Sequence, residues 1–264
     1  MRKDLIKYRK PVIYTCVTNG YSDVNPPPNI LKDDFDFLLL SPDNVKCEGW
    51  ESLSISVPAT QSNRRLAKFP KIQPWNFFDA NLSIWIDANM IINVSEFIHI
   101  FGLFSKSDAT FGLCAHNKRD TLDQEFDDVS KRLKDDPDLI NKQRLVYEET
   151  QEINTSKLFH GGLLMRKHSN LELNILMRNW QSQIDQYSVR DQLSLSYLLD
   201  QKPSTKIMIF EAPVTKIVSQ KPHLKFTSDH KSFRGTQIVK WKFQVLVYKA
   251  LTNKLVRWLK SKLK

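Results

Sequence analysis

The chain has 264 residues, of which 41% are hydrophobic and 11% aromatic, enough to bury a sizeable core and too apolar for wholesale disorder. Its formal charge is +10, but eight cations and no acids fall between Gln237 and Lys264, leaving about +2 for everything before them. A nearly neutral body argues against a broad nucleic-acid-binding face, and the sequence has no run of about 18 apolar residues to span a membrane as a helix.

The opening segment, MRKDLIKYRKPVIYTCV, is basic, but its apolar part is short and lacks a small-residue cleavage site, so it reads as a first strand and not as a signal peptide. That strand, PVIYTCV, ends in the polar turn TNGY. FDFLLL (35–40) and SLSISV (52–57) read as further strands, the second alternating with period two. NRRLAKFPKIQPW (63–75) reads as a short basic helix broken by Pro70 and Pro74. SIWI and TFGLCA are strands, the charged stretch from Thr121 to Ile153 is helical and solvated, and HGGLLMR enters another strand. NLELNILMRNWQSQI and RDQLSLSYLL are helical, and KIMIF is a last strand. Strands alternating with helices predict an α/β domain over residues 1–236, with a mostly parallel sheet covered on both faces. Residues 237–264 form a separate element, because Trp241, Val245, Tyr248, Leu251, Leu255, Trp258 and Leu259 recur at helical steps among the cations. Cys16, Cys47 and Cys114 are far apart and lack metal-finger spacing, which predicts buried free thiols in a reducing compartment.

In parallel sheets ligands sit beyond the carboxyl ends of the strands. Thr18, Asn19 and Gly20 stand at such an end, as do Asp87 and Asn89 after SIWI. A carboxylate leaving a hydrophobic strand needs a partner or a task, although Asp and Asn also favour ordinary strand-end turns. On an extended backbone Asp87 and Asn89 point to one side, and two hard oxygens suit Mg²⁺ or Mn²⁺. Arg64, Arg65, Lys68 and Lys71 cluster just upstream, either as a solvated helix face or as a clamp for a diphosphate. His116, Arg119 and Asp120 gather after another apolar run, and His160 precedes the pair Gly161–Gly162, which would let the backbone approach a bulky ligand. Arg190, Asp191 and Gln192 open a helix, where Asp191 either complements the dipole or faces an acceptor hydroxyl.

Taken in order, YTCVTNGY, RRLAKFPKIQPW, SIWIDANM, AHNKRD, HGGLLMRK and RDQLSLSYLL resemble the TOD1/MUCI70-type glycosyltransferase-like domain, over roughly Val12 to Leu199. More distantly the set is similar to A-type glycosyltransferases, single Rossmann-like domains whose D-x-D motif holds a metal and a nucleotide-sugar diphosphate. The resemblance implies that Asp87 and Asn89 occupy the D-x-D positions, with Mn²⁺ or Mg²⁺ as cofactor, and that Arg64 and Lys68 lie near the nucleotide-sugar donor. It also implies that Asp191 faces the acceptor. From the residues themselves, His160 is a second catalytic candidate, and His116, Arg119, Gly161, Gly162, Arg190 and Gln192 are expected to contact substrate. The neutral Asn89 departs from the second acidic position and leaves a metal-independent enzyme open. Glu125 is a guess for the acid after the H-x-x-R unit, and His223 or, by preference, His230 stands as a late metal ligand.

The expected reaction moves a sugar from a nucleotide-sugar to a saccharide or lipid-linked acceptor in surface polysaccharide synthesis. The 237–264 helix would dock on anionic lipid at the inner face of the membrane, from the cytoplasm, with no nucleic-acid partner. The alternative is a non-catalytic module of the same fold that docks on membranes or partners.

Overall fold

The fold comes from a computed structural model that describes residues 5–18, 22–56 and 63–220. The apolar runs become strands buried on both faces, as a covered parallel sheet demands. β1 (Val12–Cys16) is buried at every position, and β2 (Asp36–Ser41) at all but its first. β3 (Glu51–Ser54) lies at the sheet edge and is largely exposed. Two short helices, α1 (Asn63–Leu66) and α2 (Lys68–Ile72), lead into β4 (Leu82–Ile86) and β5 (Met90–Ile92). α3 (Val94–Lys106), β6 (Phe111–Ala115), α4 (Leu122–Lys131) and α5 (Pro137–Thr150) follow, then β7 (Phe159–Lys167) and α6 (Leu171–Gln186). α7 (Asp191–Asp200), β8 (Ile207–Phe210), α8 (Val214–Ile217) and β9 (Val218–Gln220) complete the described chain.

Helix starts carry local signals. Thr121 accepts from the Gln124 N–H ahead of α4, Asp136 accepts from the Asp138 N–H with Pro137 in the first turn of α5, and Asn170 accepts from the Leu173 N–H ahead of α6.

Seven strands form one mixed sheet in the order β3-β2-β1-β4-β7-β6-β8. β1, β2, β3 and β4 run parallel, β6 pairs parallel with β8, and β7 lies antiparallel between β4 and β6. Alternating side chains feed two cores. Tyr14, Trp85, Leu113 and Leu164 face α4, α5, α6 and α7, including the fully buried Trp180. Ile13, Ile84, Leu163 and Met165 face α3 through Phe97, Ile100 and Phe104. β5 and β9 pair antiparallel in a separate two-stranded sheet, Met90 opposite Gln220.

Four details differ from the sequence reading. The basic segment makes two short helices rather than one; Pro70 sits inside the first turn of α2, where its missing N–H costs nothing, and Pro74 opens a 3-10 turn. The charged stretch bends between α4 and α5. α3 was not anticipated, and KIMIF is not the last strand, because β9 follows it. Cys16 and Cys114 are buried free thiols, and Cys47 is half-buried. No helix among the described residues is long and apolar enough to cross a membrane. Asn19, Gly20, His223, His230 and the element at 237–264 lie outside the described residues.

Candidate active site

All strands of the large sheet except β7 point the same way, so the carboxyl ends of β1, β4 and β6 meet the amino end of β7 along one edge. A cleft of about 510 Å³ opens there, with Cys16, Asp87, Asn89, His116, His160, Gly161 and Asp191 in its walls. The rim is closed by the β5–β9 side through Met90, Val214 and Val218.

The floor is an ion cluster. Asp87 leaves β4 and turns at once: the Met90 N–H donates to the Asp87 carbonyl (2.9 Å), and the Asp87 N–H donates to the Gly162 carbonyl (3.0 Å). Asp87 and Asn89 therefore sit in a tight turn and not on extended backbone, yet both still line the cleft. The Trp85 indole N–H donates to Asp87 Oδ1 (2.8 Å), and the Lys71 ammonium lies 3.3 Å from the same oxygen. Lys71 also ion-pairs closely with Asp191 Oδ2, which Lys68 Nζ approaches to 3.0 Å. Lys71 is only 2% exposed and Asp191 4%. Burial alone would lift the Asp191 pKa, but Lys68, Lys71 and Arg190 outweigh it and hold the carboxyl well below its usual range. Asp87 is likewise held low, burial being outweighed by Lys71 and Lys68. Burial pulls Lys68 down to about 8 despite the pull of Asp191, whereas Asp191 and Asp87 together overcome burial and raise Lys71. Both carboxylates thus stay ionised, as fixed acceptors with little capacity to take a proton.

Lys71 is placed by a buried chain from the core. The Tyr14 hydroxyl donates to the Lys71 carbonyl (3.0 Å), and Arg166, itself fully buried, donates to the Tyr14 oxygen (3.2 Å). Gly161 closes the cluster from β7: a Cβ there would stand 3.0 Å from Asp191 Oδ2 and 3.3 Å from Lys71 Nζ. At Gly162 a Cβ would meet Met90 Cε at 2.3 Å and His160 Cε1 at 2.7 Å.

Two imidazoles stack in the adjoining wall, His116 and His160, with ring centroids 5.8 Å apart. His116 Nδ1 accepts from the backbone N–H groups of Lys118 (3.2 Å) and Arg119 (3.1 Å), and His160 Nδ1 accepts from Gly162 N–H (3.0 Å). With Nδ1 accepting, the neutral His160 ring carries its proton on Nε2, whereas His116 Nε2 faces the Arg119 guanidinium at 3.4 Å. Burial, the Arg119 charge and His160 lower His116 to about 4, and burial lowers His160. His160 is therefore arranged as an N–H donor rather than as a base.

Beyond them Arg119 pairs with Glu125 Oε2 (2.5 Å), and Arg190 Nη2 reaches Glu125 Oε1 (3.4 Å) and Gln192 Oε1 (3.3 Å). Glu125, fully buried, anchors these arginines from behind the cleft. Arg64 donates to the Lys134 carbonyl (2.6 Å) at the cleft wall, while Arg65 turns away to the Tyr187 carbonyl (2.9 Å). Of the residues singled out from sequence, Arg64, Lys68, Asp87, Asn89, His116, Arg119, His160, Gly161, Gly162, Arg190, Asp191 and Gln192 share this one cleft. Thr18 does not: it is 1% exposed, packed behind the β1 end. Lys71, grouped with the basic cluster but given no place of its own, is the centre of the floor. Its i, i+3 spacing from Lys68 was the available signal.

The expected metal set was Asp87, Asn89 and His230, of which only the first two are described. Asp87 Oδ1 is taken by Lys71 and Trp85, and no three of His, Cys, Asp or Glu converge as metal ligands among the described residues. One carboxylate and one amide fall short of a divalent-cation cage. The described residues do not fit the ion, and a buried ammonium stands between the site's two carboxylates.

Comparison with known proteins places the chain. The chain is 24% identical over 217 residues to "Probable hexosyltransferase MUCI70" of Arabidopsis thaliana, a match covering 72% of this chain and 37% of that protein. The chain thus spans little more than a third of that relative's length. Among solved structures, mouse xyloside xylosyltransferase 1 is similar at a TM-score of 0.43 and 9% identity, over 77% of this chain and 85% of that one. The galactosyltransferase LgtC is similar at a TM-score of 0.39 and 11% identity, over 75% and 72%. The model of the TOD1/MUCI70 glycosyltransferase-like domain matches residues 40–223, more than two thirds of the sequence and every described cleft element after β1. The chain belongs to the TOD1/MUCI70 glycosyltransferase-like domain family.

Proposed function

We propose that this chain transfers a hexosyl group from a nucleotide-sugar to a hydroxyl of a saccharide or lipid-linked acceptor, in the synthesis of a surface polysaccharide. The observation that carries the reading is the cluster Lys71–Asp87–Asp191 beneath Gly161, at the strand ends of a domain of this family. The plant relative, itself named a probable hexosyltransferase, supports the transferred group.

In this reading Asp87 and Asp191, fixed and ionised, accept hydrogen bonds from hydroxyls of the bound sugar. The absence of a Cβ at Gly161 leaves room for the ring against them. The acceptor oxygen forms a bond to the anomeric carbon as the bond from that carbon to the diphosphate oxygen breaks; the electron pair leaves with the diphosphate, whose oxygen takes up the proton of the acceptor hydroxyl. Lysine and arginine side chains of the cleft stabilise the growing negative charge, the principal catalytic demand of such a transfer. His160 donates Nε2–H to a substrate oxygen, and Asp191 orients the acceptor or the sugar without deprotonating it, because its carboxyl is held well below the usual range. No step is assigned to a divalent cation.

The tail from 237 to 264 extends the proposal: eight cations and a helical apolar stripe suit an anionic bilayer surface, which would place the enzyme peripherally at the cytoplasmic face. Co-sedimentation with anionic and neutral vesicles, for the full chain and one ending near Thr236, tests that part alone.

The test of the activity is thermal unfolding against a panel of nucleoside diphosphates, followed by a hydrolysis screen of the matching nucleotide-sugars. A ligand at a hundred times its dissociation constant stabilises by about 2.7 kcal/mol. A flat response to every nucleotide would remove the enzyme reading and leave a docking module of the same fold.

A further inference from the structure

The cleft carries more positive charge than one donor uses. Eight Lys or Arg side chains line it against two carboxylates, Asp87 and Asp191. Glu125 and Asp128, behind the wall, bring the surplus among the described residues to four. A nucleotide-sugar diphosphate brings about two negative charges, so roughly two positive charges remain.

The surplus is not spread evenly. At the β4 end Lys68 and Lys71 balance Asp87 and Asp191. Around the turn after β6, the end of α4 and the start of α7, four cations crowd two carboxylates. Arg119 reaches Glu125 and, at 3.4 Å, Asp128; Arg132 (2.8 Å) and Lys134 (3.2 Å) share Asp128. Arg190 holds Glu125 at only 3.4 Å, and its buried Nε has no hydrogen-bond partner. Crowding is felt by Lys134, which burial and then the Arg190 charge pull below its usual value. The wall is assembled from the turn after β6, the end of α4 and the residue ahead of α7, so it flanks the Asp191 end of the ion cluster.

We infer that the wall of Arg119, Arg132, Lys134 and Arg190 is an anion subsite for the acceptor, so that the acceptor is an acidic saccharide bearing a carboxylate or a phosphate. This rests on the glycosyltransferase reading and narrows it. Arginine pairs bidentately with planar oxyanions, and a wall half-neutralised by the buried Glu125 and the half-buried Asp128 keeps its donors oriented while retaining net charge for a ligand.

The experiment is calorimetric titration of the full chain with tetragalacturonate, mannose 6-phosphate and neutral maltotetraose, at low and high salt, each after saturation with the best nucleoside diphosphate. At least one acidic sugar is expected to bind about ten-fold or more tightly than maltotetraose, with an advantage that high salt erodes. The two acidic arms separate carboxylate from phosphate. Arg119→Gln would strand the buried Glu125 and destabilise the fold, so the decisive variant is Arg132→Gln with Lys134→Gln, at side chains 62% and 28% exposed. Loss of the acidic preference in that variant, at an unchanged melting temperature, supports the subsite. Equal binding of acidic and neutral sugars, or a preference that survives the double substitution, overturns it. A chain that takes acidic sugars but no nucleoside diphosphate keeps the anion wall and removes the glycosyltransferase reading instead, so the two failures are told apart.

Discussion

Replacing Lys71 by Met tests whether the floor of the cleft is held as described. The substitution keeps the length of the side chain and removes the ammonium between Asp87 and Asp191. Asp87, with 38% side-chain exposure, recovers solvent and keeps the Trp85 N–H. Asp191, with 6%, keeps Lys68 at 3.0 Å and the more distant charge of Arg190. Stripping one partner from a buried ion pair costs about 3–5 kcal/mol, and the surviving Lys68 places this case near the low end, about 3 kcal/mol. For a domain of this size that is a fall in melting temperature of about 6–12 °C. The pH dependence has a fixed sign. Asp191 is depressed in the folded state, so its contribution is full above the unfolded carboxyl value of about 3.9 and is lost as pH falls toward the folded value. The deficit of the variant is therefore largest at neutral pH and shrinks below about pH 4. Adding Asp191→Asn removes the stranded charge and should recover at least about 1.5 kcal/mol. Thermal unfolding followed by circular dichroism at neutral and acid pH reads all of this. A single variant melting within about 2 °C of the parent, or a double variant no better than the single one, would refute the account.

Asp87→Ala loses the Trp85 bond and one contact of Lys71, but leaves the Lys71–Asp191 pair; a cost of about 1–2 kcal/mol, loss of nucleotide-sugar hydrolysis and retained nucleoside-diphosphate stabilisation are expected, read by thermal unfolding with and without nucleotide and by the hydrolysis screen. A variant that simply unfolds would make Asp87 structural. Gly161→Ala places a Cβ 3.0 Å from Asp191 Oδ2 and should cut donor hydrolysis about ten-fold with a stability loss of about 1–3 kcal/mol. Gly102→Ala, inside α3 with nothing within 4 Å of the new Cβ, should instead stabilise by about 0.5–1 kcal/mol and leave hydrolysis unchanged. The His116 imidazole should titrate in an NMR series near its lowered value of about 4. Its contribution to stability is full above about pH 6.5 and is lost as pH falls to about 4, since the unfolded ring binds a proton first. A midpoint near 6.5 would show that the ring is not buried beside Arg119 and His160 as described.

What the sequence determined by itself is local and periodic. PVIYTCV, FDFLLL and SIWI are apolar runs that exclude water on both faces, so they had to be central strands. Caps such as Thr121, Asp136 with Pro137, and Asn170 announce their helices through one side-chain oxygen each. Candidate cleft residues were legible because polar groups follow apolar runs at strand ends, and the ordered motifs identified the family. Strand direction was not legible: a continuous apolar run such as HGGLLMR pairs equally well either way, and only its place between β4 and β6 made β7 antiparallel. Nor could the sequence separate Lys71 from its basic neighbours, because an ammonium in solvent and one buried between two carboxylates are the same residue. The choice depends on Asp191, 120 positions later, arriving at the same point in space. Charge, burial and proton affinity belong to that meeting of distant segments, and so only the tertiary structure decided that Asp87 and Asp191 are fixed anions and His160 a donor.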